Sequence, residues 1–194
     1  MIFEDGKGTG NKARVDANNR LHVQSNQETE ELQAIVEGDG YNINTGELAY
    51  TAAGTMLFIS NNEDKDLVVS SIAVGLNNLG THSDIPRITV ERNTTGGDLG
   101  FSDNTAVAMN ANRNFGSAKT LTADVYAGKS GGTSTGGTDA MLFFQGPNGR
   151  LFATINLIVP KGQNIAITID PKLSSGTLTA YAAAICYLKD PENQ

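Results

Sequence analysis

The stretch Gly6-Lys7-Gly8-Thr9-Gly10 sets glycines beside a lysine, the raw material of a phosphate-binding loop. A Walker loop needs glycine, four residues, then Gly-Lys-Ser/Thr, with a strand before it and a helix N-terminus after it to meet the phosphate. Here the spacing is wrong, no strand precedes, and polar residues rather than a helical pattern follow. The dinucleotide fingerprint also fails, because counting from Gly6 and Gly8 puts Asn11 where the third glycine belongs. The sequence therefore gives no support for nucleotide binding, and no cofactor is expected.

Metal chemistry is equally short of ligands. His22 and His82 are the only histidines, and neither has a histidine or cysteine close by in sequence. The run Asn61, Asn62, Glu63, Asp64, Asp66 resembles a calcium loop in composition, yet it lacks the central glycine and the distal glutamate and reads as a charged hairpin tip. Gly-x-Ser-x-Gly spacing occurs at Gly128-Lys129-Ser130-Gly131-Gly132 and Gly132-Thr133-Ser134-Thr135-Gly136, but no helical pattern follows either, so no nucleophile elbow is read there; the single cysteine, Cys186, sits in the apolar run "AYAAAICYL", where it reads as a small buried hydrophobe. A glycosidase-like carboxylate pair could assemble only in the fold, and a chain without tryptophan offers little to stack on a sugar. The expectation is a chain that is not an enzyme and has no catalytic, cofactor or metal residues.

The elements behind these residues point to strands. The chain has 194 residues, enough for one domain with a core. It has 22 glycines, 5 prolines and a net charge of -7, which suits many turns between short strands and argues against general nucleic-acid binding. No apolar run approaches the roughly 18 residues that cross a bilayer, and the opening residues do not resemble a secretion signal. A protein made in a reducing cytoplasm, without membrane or nucleic-acid partners, is expected.

Residues 1–26 are polar and glycine-rich and are expected to form an extended arm, because they hold too little apolar surface to fold alone. Residues 27–39 read as a linker or short helix, since acidic residues precede Leu32, Ile35 and Val36 at helical spacing. Residues 40–190 read as an antiparallel β-sandwich and 191–194 as a tail. Strands are expected on both sides of Asn44-Thr45-Gly46, at 55–61 and 67–77 around the charged tip, at 87–93 with one wet face, and at 119–127. Residues 94–114 carry no sustained period, and "GKSGGTSTGG" (128–137) has the composition of a flexible linker on the surface. Turns at 146–149 and 161–163 then separate the strands "AMLFFQ", "RLFATINLIVP", "NIAITID" and "TLTAYAAAICYLK". Runs such as "LFATINLIV" and "AYAAAICYL" suggest strands covered on both faces, the second cover being a neighbouring element or another copy. With no internal repeat, the fold class is all-β: two packed antiparallel sheets with jelly-roll connections. Phe143, Phe144, Phe152, Ile155 and Ile167 are expected in its core.

The N-terminal segment also carries a resemblance. Asp5, Gly6, Gly8, Gly10, Lys12, Val15, Asp16, Asn19, Arg20, Leu21 and Val23 form an Asp-Gly-x-Gly-x-Gly stretch followed by "VD..NRL.V". This resembles the start of small virion proteins of tailed bacteriophages. "LFISNNEDKDLVVSSIAVG" and "IVPKGQNIAITIDP" are similar to the strand-tip-strand and Pro-Lys-Gly turns of viral jelly rolls. The resemblance implies a capsid decoration or cement protein on the outer surface of the virion, with the major capsid protein and further copies of itself (a small homo-oligomer such as a trimer) as partners. The arm residues Lys7, Lys12, Arg14, Asn19, Arg20 and His22 are the candidate capsid contacts. The basic ones would pair with capsid carboxylates, or else serve to keep the arm soluble. The alternative is a tail, neck or fibre-associated protein that recognises a host surface through the 128–137 or 94–114 loops.

Overall fold

The computed structural model describes residues 29–78, 80–95 and 109–191, and three strand pieces nearer the N-terminus. Those pieces, β1 (Phe3–Glu4), β2 (Lys12–Val15) and β3 (Leu21–His22), pair antiparallel in the order β1-β2-β3. Helix α1 (Glu30–Glu37) follows. The Thr29 hydroxyl accepts from the Leu32 amide at 3.2 Å, Glu30 and Glu31 sit in the positive first turn, and Gly38 at φ 82° closes the other end. No helix among the described residues is long and apolar enough to cross a membrane.

Two antiparallel sheets make the body. The first runs β10 (Met109–Asn112), β4 (Gly40–Asn44), β16 (Leu178–Lys189), β7 (Asp66–Asn78), β13 (Arg150–Val159), with β5 (Leu48–Tyr50) also on β16. The second runs β11 (Asp124–Ala127), β6 (Gly54–Ser60), β14 (Asn164–Asp170), β9 (Arg87–Arg92), β12 (Thr138–Phe144). The short strands β8 (Thr81–His82) and β15 (Leu173–Ser175) pair separately. The pairing is nested: β4 meets β16, β6 meets β14, β7 meets β13 and β9 meets β12, with successive pairs falling in opposite sheets. An antiparallel hairpin folded over itself in this way is a jelly roll, so the expected β-sandwich is the observed fold.

The core lies between the sheets. Ile43, Tyr50, Met56, Ile59, Leu67, Ile72, Ile88, Ile169 and Leu178 are almost wholly buried. Each large aliphatic removed from water contributes about 1.5–3 kcal/mol before entropy is counted. Tyr50 keeps its hydroxyl satisfied by donating to the Thr55 carbonyl at 2.9 Å. Cys186 is fully buried on β16, and burial pushes its thiol up to about 12, which fits an inert packing residue.

Four local expectations are corrected. The 61–65 tip is a crossover between sheets, since β6 and β7 belong to different ones. Asn61 ties that crossover: its side-chain amide donates to the Lys65 and Val159 carbonyls at 2.9 and 2.7 Å, and its oxygen accepts from the Glu63 amide at 2.9 Å. The Asn44-Thr45-Gly46 turn interrupts one edge instead of reversing it, because β4 and β5 both pair with β16, with the Thr45 hydroxyl oxygen accepting from the Ala182 amide between them. The outer face of β9 is only partly wet, for Thr89 is buried there. Finally, Ile155 and Ile167 are buried and Phe143 packs against the core, but Phe144 and Phe152 are exposed. Both phenylalanines stand on edge strands, where no strand or helix among the described residues covers them.

This difference is measurable. Ile167→Ala should destabilise the domain by about 2–5 kcal/mol in denaturant unfolding, through lost burial and a cavity. Phe152→Ala should change it by less than about 1 kcal/mol.

Candidate interaction surfaces

The candidate contact residues divide by position. Lys7, Asn19 and Arg20, like the Gly6–Gly10 stretch, lie outside the described residues. Lys12 and Arg14 fall on β2 and His22 on β3, with Glu4 opposite Lys12 and Arg14 opposite His22 in register.

The arm enters the body through α1, and that root is fixed at both ends. Lys189 pairs with Glu30 at 3.2 Å, and Arg113 pairs with Glu31. At the far end the Asn114 amide donates to the Val36 carbonyl at 2.9 Å and the Asn112 amide to the Gly38 carbonyl at 2.7 Å. Asp39 follows at once, only 4% exposed. It accepts from Lys119 at 2.8 Å and Lys65 at 3.0 Å, and Lys65 also reaches Asp190 at 3.3 Å. One carboxylate thus joins the helix exit, the β6–β7 crossover and the segment before β11. Burial pushes the Asp39 carboxyl upward, but the hydrogen bonds and positive charge of Lys119 and Lys65 outweigh it, leaving it below the ordinary 3.8. Sequence alone gave no sign of this node, whose members are far apart in the chain.

The 128–137 segment is folded against the body, which corrects the reading of a mobile linker. The Thr55 amide donates to the Gly132 carbonyl at 2.6 Å and the Gly131 amide to the Ala53 carbonyl at 3.0 Å. The Ser130 hydroxyl oxygen accepts from the Thr51 and Ala52 amides at 2.9 and 3.1 Å. A Cβ on Gly128 would stand 1.8 Å from the Thr55 carbonyl oxygen, so only glycine allows this approach. The glycines that suggested flexibility serve close backbone packing.

Beside this loop lies a polar cleft of about 180 Å³ lined by Arg87, Thr89, Glu91, Ser134, Asp139 and Asp170. Two of its carboxylates are engaged: Glu91 accepts from Thr168 at 3.2 Å and from Ser134 at 2.5 Å, and Asp170 pairs with Lys172 at 2.6 Å. Burial raises the Asp170 carboxyl, while the Lys172 and Arg87 contacts lower it more, so it falls below 3.8. A glycosidase acid needs the opposite shift.

The exposed apolar residues lie on three surfaces. On edge strand β12, Leu142 and Phe144 stand opposite Thr89 and Arg87 on the outer face of the second sheet, whereas on edge strand β13, Phe152 (67% exposed) and Ile158 (57%) stand opposite Ala73 and Val68 on the outer face of the first. An adjoining groove of about 420 Å³ is lined by Arg92, Ala140, Leu157, Ile158, Pro160 and Ile165. On α1, Leu32 and Val36 (64% exposed) point outward while Ala34 is buried with Val68 and Tyr187. Large exposed apolar side chains on edge strands are unusual in a protein that works alone.

Comparison with known proteins adds little. No family model matches the chain, and no curated protein sequence matches it. Among solved structures, the Triatoma virus empty capsid aligns over 95% of this chain and 82% of that one at 7% identity, with a TM-score of 0.29. The VP2 protein of infectious bursal disease virus aligns over 79% of this chain and 40% of that one at 14% identity, with a TM-score of 0.20. Likeness this loose carries no argument; the jelly-roll assignment rests on the strand order.

Asp39→Asn should cost about 1–3 kcal/mol, a range kept low by the partly exposed lysines. Because the folded carboxyl lies below its unfolded value, its contribution is present above about pH 4 and is lost as pH falls through the lower folded value. Unfolding of the wild type from pH 6 down to pH 2 should show this extra loss, and the variant should lack it.

Proposed function

We propose that the chain is a non-enzymatic structural protein of a bacteriophage particle, which decorates and stabilises the outside of the capsid. The sandwich associates with further copies of itself, and the N-terminal arm clamps it to the major capsid protein. The observation that carries this reading is a jelly-roll body that leaves large apolar side chains open on edge strands of both sheets, behind an arm resembling phage virion proteins. With the β1-β2-β3 pairings released, an arm of about 25 residues reaches up to roughly 85 Å, enough to cross onto a neighbouring subunit. Its glycines let the backbone follow a foreign surface and add hydrogen bonds at a sheet edge. Lys7, Lys12, Arg14 and Arg20 would meet capsid carboxylates, with Asn19 and His22 as polar contacts. Tension on the arm would pass through α1 and the Asp39 node into the body.

A tail, neck or fibre location is the second reading, favoured by the polar cleft that the folded 128–137 segment frames. In that case the cleft side would meet a host surface, and purified host glycans would bind the free protein.

Deleting residues 1–26 should leave a folded domain, by circular dichroism, that no longer cosediments with empty phage heads. Arg14→Glu with Arg20→Glu should weaken cosedimentation in the full-length chain. Unchanged occupancy after the deletion would refute the clamp.

A further inference from the structure

Strand β13 pairs with β7 alone among the described strands, in a register that sets Leu151 against Val74, Phe152 against Ala73 and Thr154 against Ser71. Antiparallel neighbours alternate between pairs that exchange hydrogen bonds and pairs that do not. The Leu76 amide donates to the Gly149 carbonyl at 2.9 Å, one step before Arg150 meets Gly75, so Gly149 and Leu151 bond toward β7. Arg150, Phe152 and Thr154 fall between these positions and turn their amides and carbonyls to the open side. Among the described residues no backbone bond outside the β7 ladder reaches those three, and all three are exposed. A bulge after Thr154, with Asn156 at φ 47°, ends the regular stretch.

The chemistry of this edge selects its occupant. Residues 140–159 contain a single charged side chain, Arg150, in a chain of net charge -7. Two copies can therefore meet here without setting carboxylates against each other. The stretch is also self-complementary: turned antiparallel about Phe152, Arg150 of one copy meets Thr154 of the other, and the two phenylalanines meet each other. The two cations then lie at opposite ends of the contact. The chain's own arm fits less well, since β2 carries Lys12 and Arg14 and is already paired on both sides, by β1 and β3. The open edge of β12 is shorter, because a bulge between Asp139 and Met141 leaves only residues 141–144 regular, and Asp139 adds a carboxylate.

We infer that β13 of one copy pairs antiparallel with β13 of a second copy across a two-fold axis at Phe152, joining the two first sheets into one. Arg150, Phe152 and Thr154 and their counterparts would exchange about six inter-strand hydrogen bonds, with the Phe152 Cα atoms about 5.5 Å apart. Phe152 stands opposite Ala73, too small to cover its ring, and the second Phe152 supplies the missing neighbour on the same outer face. A contact that uses the same patch on both copies closes at two, so it yields a dimer and not a trimer. This pairing rests on the self-association part of the proposed function, gives it a surface, and is independent of the capsid-binding arm.

The test uses the free full-length protein, without capsids, in sedimentation velocity. Wild type should form a concentration-dependent dimer. Phe152→Lys and Phe152→Glu each set like charges face to face on the axis, and each alone should weaken the dimer roughly tenfold or more. An equimolar mixture of the two should dimerise more tightly than either alone, because lysine then meets glutamate. Thermal unfolding of dilute samples, unchanged by substitutions at this exposed position, checks that both variants fold. In a second measurement, Phe152→Cys should crosslink copy to copy on oxidation, since the Cα spacing of such a pair is within the range of a disulfide; the native Cys186 is buried and will not compete. A monomeric wild type would overturn the pairing together with the self-association it rests on. An oligomer that Phe152→Lys leaves intact, or a mixture no better associated than its parts, would overturn the pairing alone. None of these results bears on cosedimentation with phage heads, which tests the clamp separately.

Discussion

The structure depends on strand β16, which must pair along its whole length with β7 on one side and with β4 and β5 on the other. Its inward side chains are Leu178, Ala180, Ala182, Ala184, Cys186 and Leu188, small through the middle and larger at the ends. That profile lets the first sheet lie close over β6 of the second, which brings bulky residues such as Met56 and Ile59 into the core. It is also the last of the described strands in chain order, so the first sheet stays incomplete until β16 has joined β4 and β7. Nested pairings of this kind are non-local, and they place the ordering cost ahead of the burial that offsets it.

The same closure fixes the place where the arm begins. Tyr187 on the outer face of β16 receives α1 through Ala34, and the Leu188 amide donates to the Asp39 carbonyl at 2.8 Å. The Asp39 carboxylate then gathers Lys65 and Lys119 from two other connections. The chain's entry, its end and the β6–β7 crossover are held at one corner. An arm attached there transmits force into the most cross-linked part of the body, a suitable mounting for a clamp.

Much of the strand content was legible in the sequence and little of its pairing was. The strands after residue 138 could be placed because Gly146-Pro147-Asn148-Gly149 and Lys161-Gly162-Gln163 are strong turn signals between apolar runs. The charged tip at 61–65 resembled a hairpin because two strands flank it, and nothing local reveals that they enter different sheets. Phe144 and Phe152 looked like core because an apolar run on an edge strand reads the same as one on a central strand; β16 is covered and β13 is not. Glycines at 128–137 suggested mobility, yet a missing side chain is also what lets two backbones touch. The Asp39 node assembles from distant segments and could be seen only in the fold.

The central claim is that the leading segment acquires its protection from a foreign surface while the jelly roll behind it stays as it is. Amide hydrogen exchange, read by mass spectrometry with and without empty phage heads, measures this directly. The account predicts a large gain of protection across residues 1–26 on heads and no change in β7 or β16. Equal exchange in both states across residues 1–26, at full occupancy of the heads, would contradict it.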